Sequence, residues 1–367
     1  MLAVRLAALV ALATVATAVP SVPAAVRPTP GVPPGVGVPS GTPDVIVTEQ
    51  ATRRLVVFDG RRRVWGPAAE RWAFTPLGDP RYADLAPERS WVHPDEAKVR
   101  RWRGRTYVLT TASYGFAAVV AYPSGDRYWA RALAPGTLRV NPHSAELLPD
   151  GSVAVAGSTG GLVRLYAPPP GDASADFALP DAHGLQWDGR RGVLWALGGD
   201  RLVALRAGTV GGRPRLRPVD EVRLPEPGGH DLGQVARDPD RLWVSTGTAV
   251  YQYVKSRRAF VRDYPGAPAV SRARVKAVGD DPLTGQVLST VPEPGLAEDW
   301  WTTGVTVHRP GPAAPEGPAG PAVPPPGGLG RPPGGPVGAG ESTGAYRLAG
   351  GGIYKARWWL LPTGRRP

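Results

Sequence analysis

Short β-rich runs recur along this 367-residue chain at a spacing that few folds accommodate. They are Val45-Ile46-Val47-Thr48, Tyr107-Val108-Leu109-Thr110, Val153-Ala154-Val155-Ala156, Val193-Leu194-Trp195-Ala196, Leu242-Trp243-Val244-Ser245 and Gln286-Val287-Leu288-Ser289. Small or polar turn residues follow each run, and then comes a second apolar run, at 55–58, 118–122, 162–166, 202–205, 249–253 and 305–308. With Ile46, Val108, Val153, Val193, Leu242 and Val287 as equivalent points, the steps are 62, 45, 40, 49 and 45 residues. Four of the five fit the roughly 40–50 residues of a four-stranded propeller blade.

Ahead of each of the last five runs lies a further segment ending in a turn signal, at 96–104, 143–151, 183–192, 230–240 and 275–285. The first repeat lacks it. Its counterpart stands at the far end of the chain, as Ile353-Tyr354-Lys355-Ala356-Arg357-Trp358-Trp359-Leu360-Leu361. A C-terminal strand that completes the first blade closes a ring of blades and leaves only short, protected sheet edges. The chain is therefore expected to be all-β, a six-bladed β-propeller formed by residues 44–308 and 345–361.

The entering segment His143-Ser-Ala-Glu-Leu-Leu-Pro-Asp-Gly151, the Asp299-Trp300-Trp301 insertion and the closing Ile353-Tyr354-Lys355-Ala356-Arg357 resemble the WD40/YVTN-like propeller superfamily. In detail the chain is similar to secreted actinobacterial propeller proteins without an established activity. The resemblance implies a fold rather than a chemistry. Trp187-Asp188 is the only Trp-Asp pair, and it falls in a first strand rather than at the end of a third.

Composition narrows the chemistry. The absence of cysteine excludes a disulfide scaffold, a thiol nucleophile and a Cys-ligated zinc site. No Lys follows a Gly and H-E-x-x-H does not occur, so Walker-type nucleotide binding and zinc-protease chemistry have no motif. Residues 1–18 read as a secretory signal, with Arg5 as the charged region, an apolar run over 6–18 and a small-residue end at Ala16-Thr17-Ala18. Thirteen helical residues at about 1.5 Å each fall short of a ~30 Å hydrocarbon core, so no membrane span is expected. Residues 19–43 read as a Pro-rich leader. Residues 309–344 read as a disordered Pro/Gly-rich insertion in the last blade, with 21 Pro or Gly in 310–340.

In a propeller the first strand of each blade lines the axial channel, so residues some 40–50 positions apart converge on one axis. Counting back about ten positions from each equivalent point, with one or two residues of slippage, gives Lys98, His143, His183, His230 and Lys276, and the closing strand adds Lys355. This ring takes three of five His and three of only four Lys, whereas the other 39 basic residues are Arg. Lys carries a compact charge whose pKa shifts readily when crowded. Three ammonium groups around one axis need an anion, deprotonation or neighbouring carboxylates such as Glu96. Three imidazoles on consecutive blades, His143, His183 and His230, could hold a divalent metal. The same side chains could equally bond to neighbouring backbone and keep the channel solvated.

Two further groups stand out. Trp300 and Trp301, in a long insertion at 293–303, could stack on sugar faces or simply pack one blade against the next. Trp91, His93, Asp95 and Glu96 form a dense cluster at another blade's start, where Pro94 points to a loop. Arg pairs and runs are scattered over turns without interleaved aromatics, so a nucleic-acid partner is not expected. The leading expectation is a secreted monomer that binds an anionic small molecule or acidic saccharide, or an extracellular polymer, in the Lys/His channel. The alternatives are a metal-assisted polysaccharide lyase or hydrolase and a protein-interaction platform.

Overall fold

A computed structural model of the chain describes residues 41–309 and 342–360. The expected signal, most of the Pro-rich leader and nearly all of the 309–344 insertion lie outside the described residues.

Six small antiparallel sheets follow one another along the chain. Blade 1 runs, inside to outside, through Ile353–Trp359, Asp44–Glu49, Arg54–Phe58 and Glu70–Phe74, so the C-terminal strand is its innermost member. Ile46 pairs with Arg357 and Val47 with Ala356. The inner strands of blades 2 to 6 are Pro94–Trp102, Pro142–Leu147, Gly184–Asp188, Asp231–Gln234 and Ala277–Asp280. Pro94 opens its strand rather than a loop; as a first strand residue it forfeits no ladder bond. The protein is a six-bladed β-propeller.

The second strands carry the most apolar runs because neighbouring blades cover both faces. In Asp44–Glu49, Val45 and Val47 join a cluster with Leu288, Val305 and Tyr346 of blade 6, while Ile46 joins Val108, Phe116 and Val120 of blade 2. Alternation thus serves two cores at once, and a strand buried on both sides reads as a continuous apolar stretch. Among the described residues six such clusters form, one between each pair of adjacent blades.

Two departures from regular blades were not legible in the repeats. Val64–Trp65, in the first blade's outer connection, adds a fifth strand to blade 6 by pairing in parallel with Ser342–Leu348. Phe58, Trp65 and Tyr346 stack there with ring centroids 4.7 and 4.6 Å apart, which fastens blade 6 to blade 1 a second time. In blade 4 the outer hairpin is formed by Arg201–Val210 and Arg213–Arg223, about twice the length of the blade's inner strands.

Candidate functional site

The residues immediately ahead of the inner strands occupy equivalent places on blades 4, 5 and 6. His183, His230 and Lys276 each donate a backbone N–H, at 2.9 Å, to Leu197, Ser245 and Thr290 of the second strand. His143 of blade 3 joins them: its ring lies 4.4 Å from that of His183, nearly parallel, and His183 lies 4.7 Å from His230. Tyr354 completes the level from blade 1, with its hydroxyl 2.8 Å from His230 Nε2. The Nζ atoms of Lys276 and Lys355 lie 5.9 and 5.8 Å from the centre of the Tyr354 ring. Five of the six expected ring residues are therefore gathered around Tyr354.

Lys98 is the exception. Its Nζ donates to Ser144 Oγ at 2.7 Å and to the Leu185 carbonyl at 2.6 Å, deeper along the strands than His143 and His183. Counting back from a turn takes no account of strand length, and blade 2 has a nine-residue inner strand where blade 3 has six. Asp95 of blade 2 takes the place beside the histidines instead, with Oδ1 3.6 Å from His143 Nδ1.

Further along the inner strands lies a buried charge network. Arg357 donates to both Asp231 oxygens at 2.6 Å and reaches Glu96 Oε1 at 3.2 and 3.3 Å. Lys98 Nζ lies 3.2 Å from Glu96 and Lys355 Nζ 3.4 Å from Asp231. Arg100 holds Glu146 through two bonds of 2.7 Å. Glu96 thus lies against both Lys98 and Arg357. Burial alone would raise the Glu96 carboxyl, but Arg357, Lys98 and Lys355 hold it below its ordinary range. Burial and Arg357 oppose each other at Asp231 in the same way, and its pKa is also lowered. Asp95 has no such cation at contact distance, and burial drives its carboxyl well above the ordinary range.

Around Tyr354 the balance is different. Burial, with neighbouring His183 and lysines, lowers His143 well below an ordinary imidazole, and His230 is lowered for like reasons. Both rings are neutral near pH 7. Burial, then Arg274 and Lys355, brings Lys276 down to about 8. Lys276 makes no salt bridge among the described residues. His143 Nδ1 and Lys355 Nζ are buried without a hydrogen-bond partner.

His143 and His183 stack face to face, His230 is tilted by 37° to His183, and His183 Nδ1 lies 3.0 Å from the Asp181 carbonyl oxygen. Among the described residues no three His, Asp or Glu side chains are placed to hold a metal.

Trp300 and Trp301 are half-buried and both indoles donate to Gln50 Oε1, at 2.9 and 2.6 Å. Gln50 Nε2 in turn donates to the Pro94 carbonyl at 3.0 Å and lies 3.5 Å from Asp95. The pair therefore pins the insertion to blades 1 and 2 beside the histidine mouth, with His93 edge-on to Trp300 at 5.6 Å.

Arg357, Asp231, Asp95, Glu146 and Tyr354 were missed as channel residues. A signal existed. Glu96, Lys98 and Arg100, then Ser144 and Glu146, then Lys355 and Arg357, recur at every second position of inner strands, the period of a single strand face.

The sequence profile of a family of unknown function, DUF6528, matches residues 3–313. The chain belongs to this family. No curated protein matches the DUF6528 chain. Among solved structures it is similar to a protein of unknown function from Bacteroides caccae, at 13% identity and a TM-score of 0.47 over 73% of this chain and 90% of that one. It is also similar to a functionally unknown protein from Desulfotomaculum acetoxidans, at 10% identity and a TM-score of 0.45 over 73% and 75%. Virginiamycin B lyase from Staphylococcus aureus gives 12% identity and a TM-score of 0.38 over 59% and 67%. Among the described residues no helix is long and apolar enough to cross a membrane.

Proposed function

We propose that this DUF6528 propeller is an exported binding protein that takes an anionic small molecule or acidic saccharide at the histidine mouth of its axial channel. One observation carries the reading: Lys276 stands beside the Tyr354 ring with no ion-pair partner among the described residues, next to Lys355 Nζ and His143 Nδ1, which make no hydrogen bond. The nearest carboxylates to Lys355 Nζ and His143 Nδ1 stand at 3.4 Å (Asp231) and 3.6 Å (Asp95), and both nitrogens are buried. Buried donors left unpaired are costly, and a carboxylate supplies acceptors and charge together. The half-buried Trp300 and Trp301 beside the mouth add apolar ring faces of the kind that pack against a sugar. Export is supported by the N-terminal pattern around Arg5 and the apolar run after it.

Lys276 is the residue to test, because Lys98 and Lys355 belong to the buried network and their loss confounds binding with folding. Calorimetric titration with trigalacturonate, and with citrate as a compact anion, is expected to show saturable binding. Lys276→Gln should weaken it about tenfold or more, the scale of one charge-assisted hydrogen bond. Binding to neither probe, or an unchanged Kd in the variant, overturns the reading.

A further inference from the structure

The long outer hairpin of blade 4 is asymmetric between its two faces. Its register sets Ala207 opposite Leu216 and Thr209 opposite Pro214 on one face. That face is anchored: Ala207 and Leu216 pack onto the core between blades 3 and 4, and Thr209 donates to Asp150 Oδ2 from its backbone and hydroxyl at 3.0 and 2.9 Å. The other face carries Arg206 opposite Arg217, Gly208 opposite Arg215 and Val210 opposite Arg213. All four arginines are exposed.

Nothing in the blade neutralises them. Asp220 is taken by Arg258 at 2.6 and 3.1 Å, Glu221 by Arg201 at 2.9 Å, and Asp150 by Thr209 and Ser152. Among the described residues, Arg206, Arg213, Arg215 and Arg217 make no ion pair. Like charges directly opposite one another across a sheet are destabilising, so the Arg206–Arg217 pair is a cost that an external anion relieves. Arg213, Arg215 and Arg217 project at every second residue, about 6.8 Å apart along the strand. That spacing presents guanidinium forks in a row to a chain of repeated carboxylates or sulfates. The face holds only Arg, Gly and Val, with no aromatic platform for bases to stack on.

We infer that the outer face of this hairpin is a docking strip for a linear acidic polysaccharide, separate from the channel mouth. The Arg206/Arg213/Arg215/Arg217 row binds successive acid groups of the polymer, while the opposite face holds the hairpin rigid against blade 3.

The test uses the full chain on immobilised polygalacturonate. The native protein should bind in a salt-sensitive way. The triple variant R213S/R215S/R217S should bind about tenfold more weakly and with a flatter salt dependence, as several exposed ion pairs of modest individual strength are lost. Arg206→Ser, on the opposing strand, should weaken binding by a smaller factor. A charge-matched control, R89S/R105S/R139S, removes three exposed arginines elsewhere and should stay within about twofold of the native protein. Equal losses in the two triple variants mean attraction to net charge alone and overturn the inference. So does an absence of native binding to polygalacturonate, or equal binding of a dT20 oligonucleotide that the hairpin variant also loses.

Discussion

Replacing Arg357 with methionine keeps much of the side chain's volume and removes the charge that joins Glu96 to Asp231. Both carboxylates are 1% exposed, and the guanidinium bonds Asp231 twice at 2.6 Å and Glu96 at 3.2 Å or more. Breaking a buried ion pair by removing one partner costs about 3–5 kcal/mol, because the remaining charge stays out of water uncompensated. Lys98 and Lys355 still lie within 3.2 and 3.4 Å of the two carboxylates, which places the expected loss near the lower end, about 3 kcal/mol. For a domain of this size that corresponds to a fall in Tm of about 5 °C. The pH dependence fixes the cause. In the native protein both carboxyls titrate below their unfolded values, so their contribution is complete above about pH 5 and is lost as pH falls through the folded pKa. In the variant both carboxyls lose the cation that most opposes burial and are expected to titrate higher than in the native protein. The loss relative to the native protein is then present at pH 7 and relieved on acidification. Urea denaturation should therefore show a gap between the two proteins that narrows from pH 7 to pH 4. A loss below about 1 kcal/mol at pH 7, or a gap that does not change with pH, refutes the argument.

At the mouth, Lys276 is lowered to about 8, chiefly by burial, so its charge is complete near pH 6 and fades as pH rises through about 8. Trigalacturonate affinity, followed by calorimetry from pH 6 to 9.5, should fall over the upper part of that range. A flat profile removes Lys276 as the charge partner. The fourth lysine, Lys255, is buried between blades 4 and 5, where Nζ donates to Asp188 at 2.8 Å and to Gln234 and the Pro239 carbonyl at 2.9 Å. Lys255→Met should cost about 2 kcal/mol in urea denaturation, because Asp188 loses its buried cation but keeps the partly exposed Arg191 at 3.4 Å and its backbone N–H donors, and leave anion binding at the histidine mouth unchanged. Stability within about 0.5 kcal/mol of native would show that the strut carries no load.

The scarcity of lysine was informative in a broader sense than the ring alone. All four lysines are drawn inward: Lys98, Lys255 and Lys355 are buried and Lys276 is half-buried. Arginine covers the surface, but Arg100 and Arg357 also enter the channel, and no compositional contrast separates those two from the other 37. Their place shows only in the alternation with Lys98 and Lys355 on the same strands. The three histidines were legible because each stands beside the turn that starts an inner strand, where position in sequence and height in the channel still correspond. Lys98 stands several residues further on, and there the correspondence fails.

Sequence alone determined the architecture. Blade number and closure by residues near 353–359 follow from local patterns of apolar residues and turns, because each blade must bury both of its faces against neighbours. Depth along the axis was decided by tertiary structure. Which side chains share a level depends on strand length and on how six sheets settle against one another, and no single repeat contains that information. The same holds for the arginine strip of blade 4. Its four residues lie within twelve positions of the chain, yet only hairpin register and packing against blade 3 put them on one solvent-facing side. Non-local packing selects which face is covered, and so it selects which charges remain for a partner.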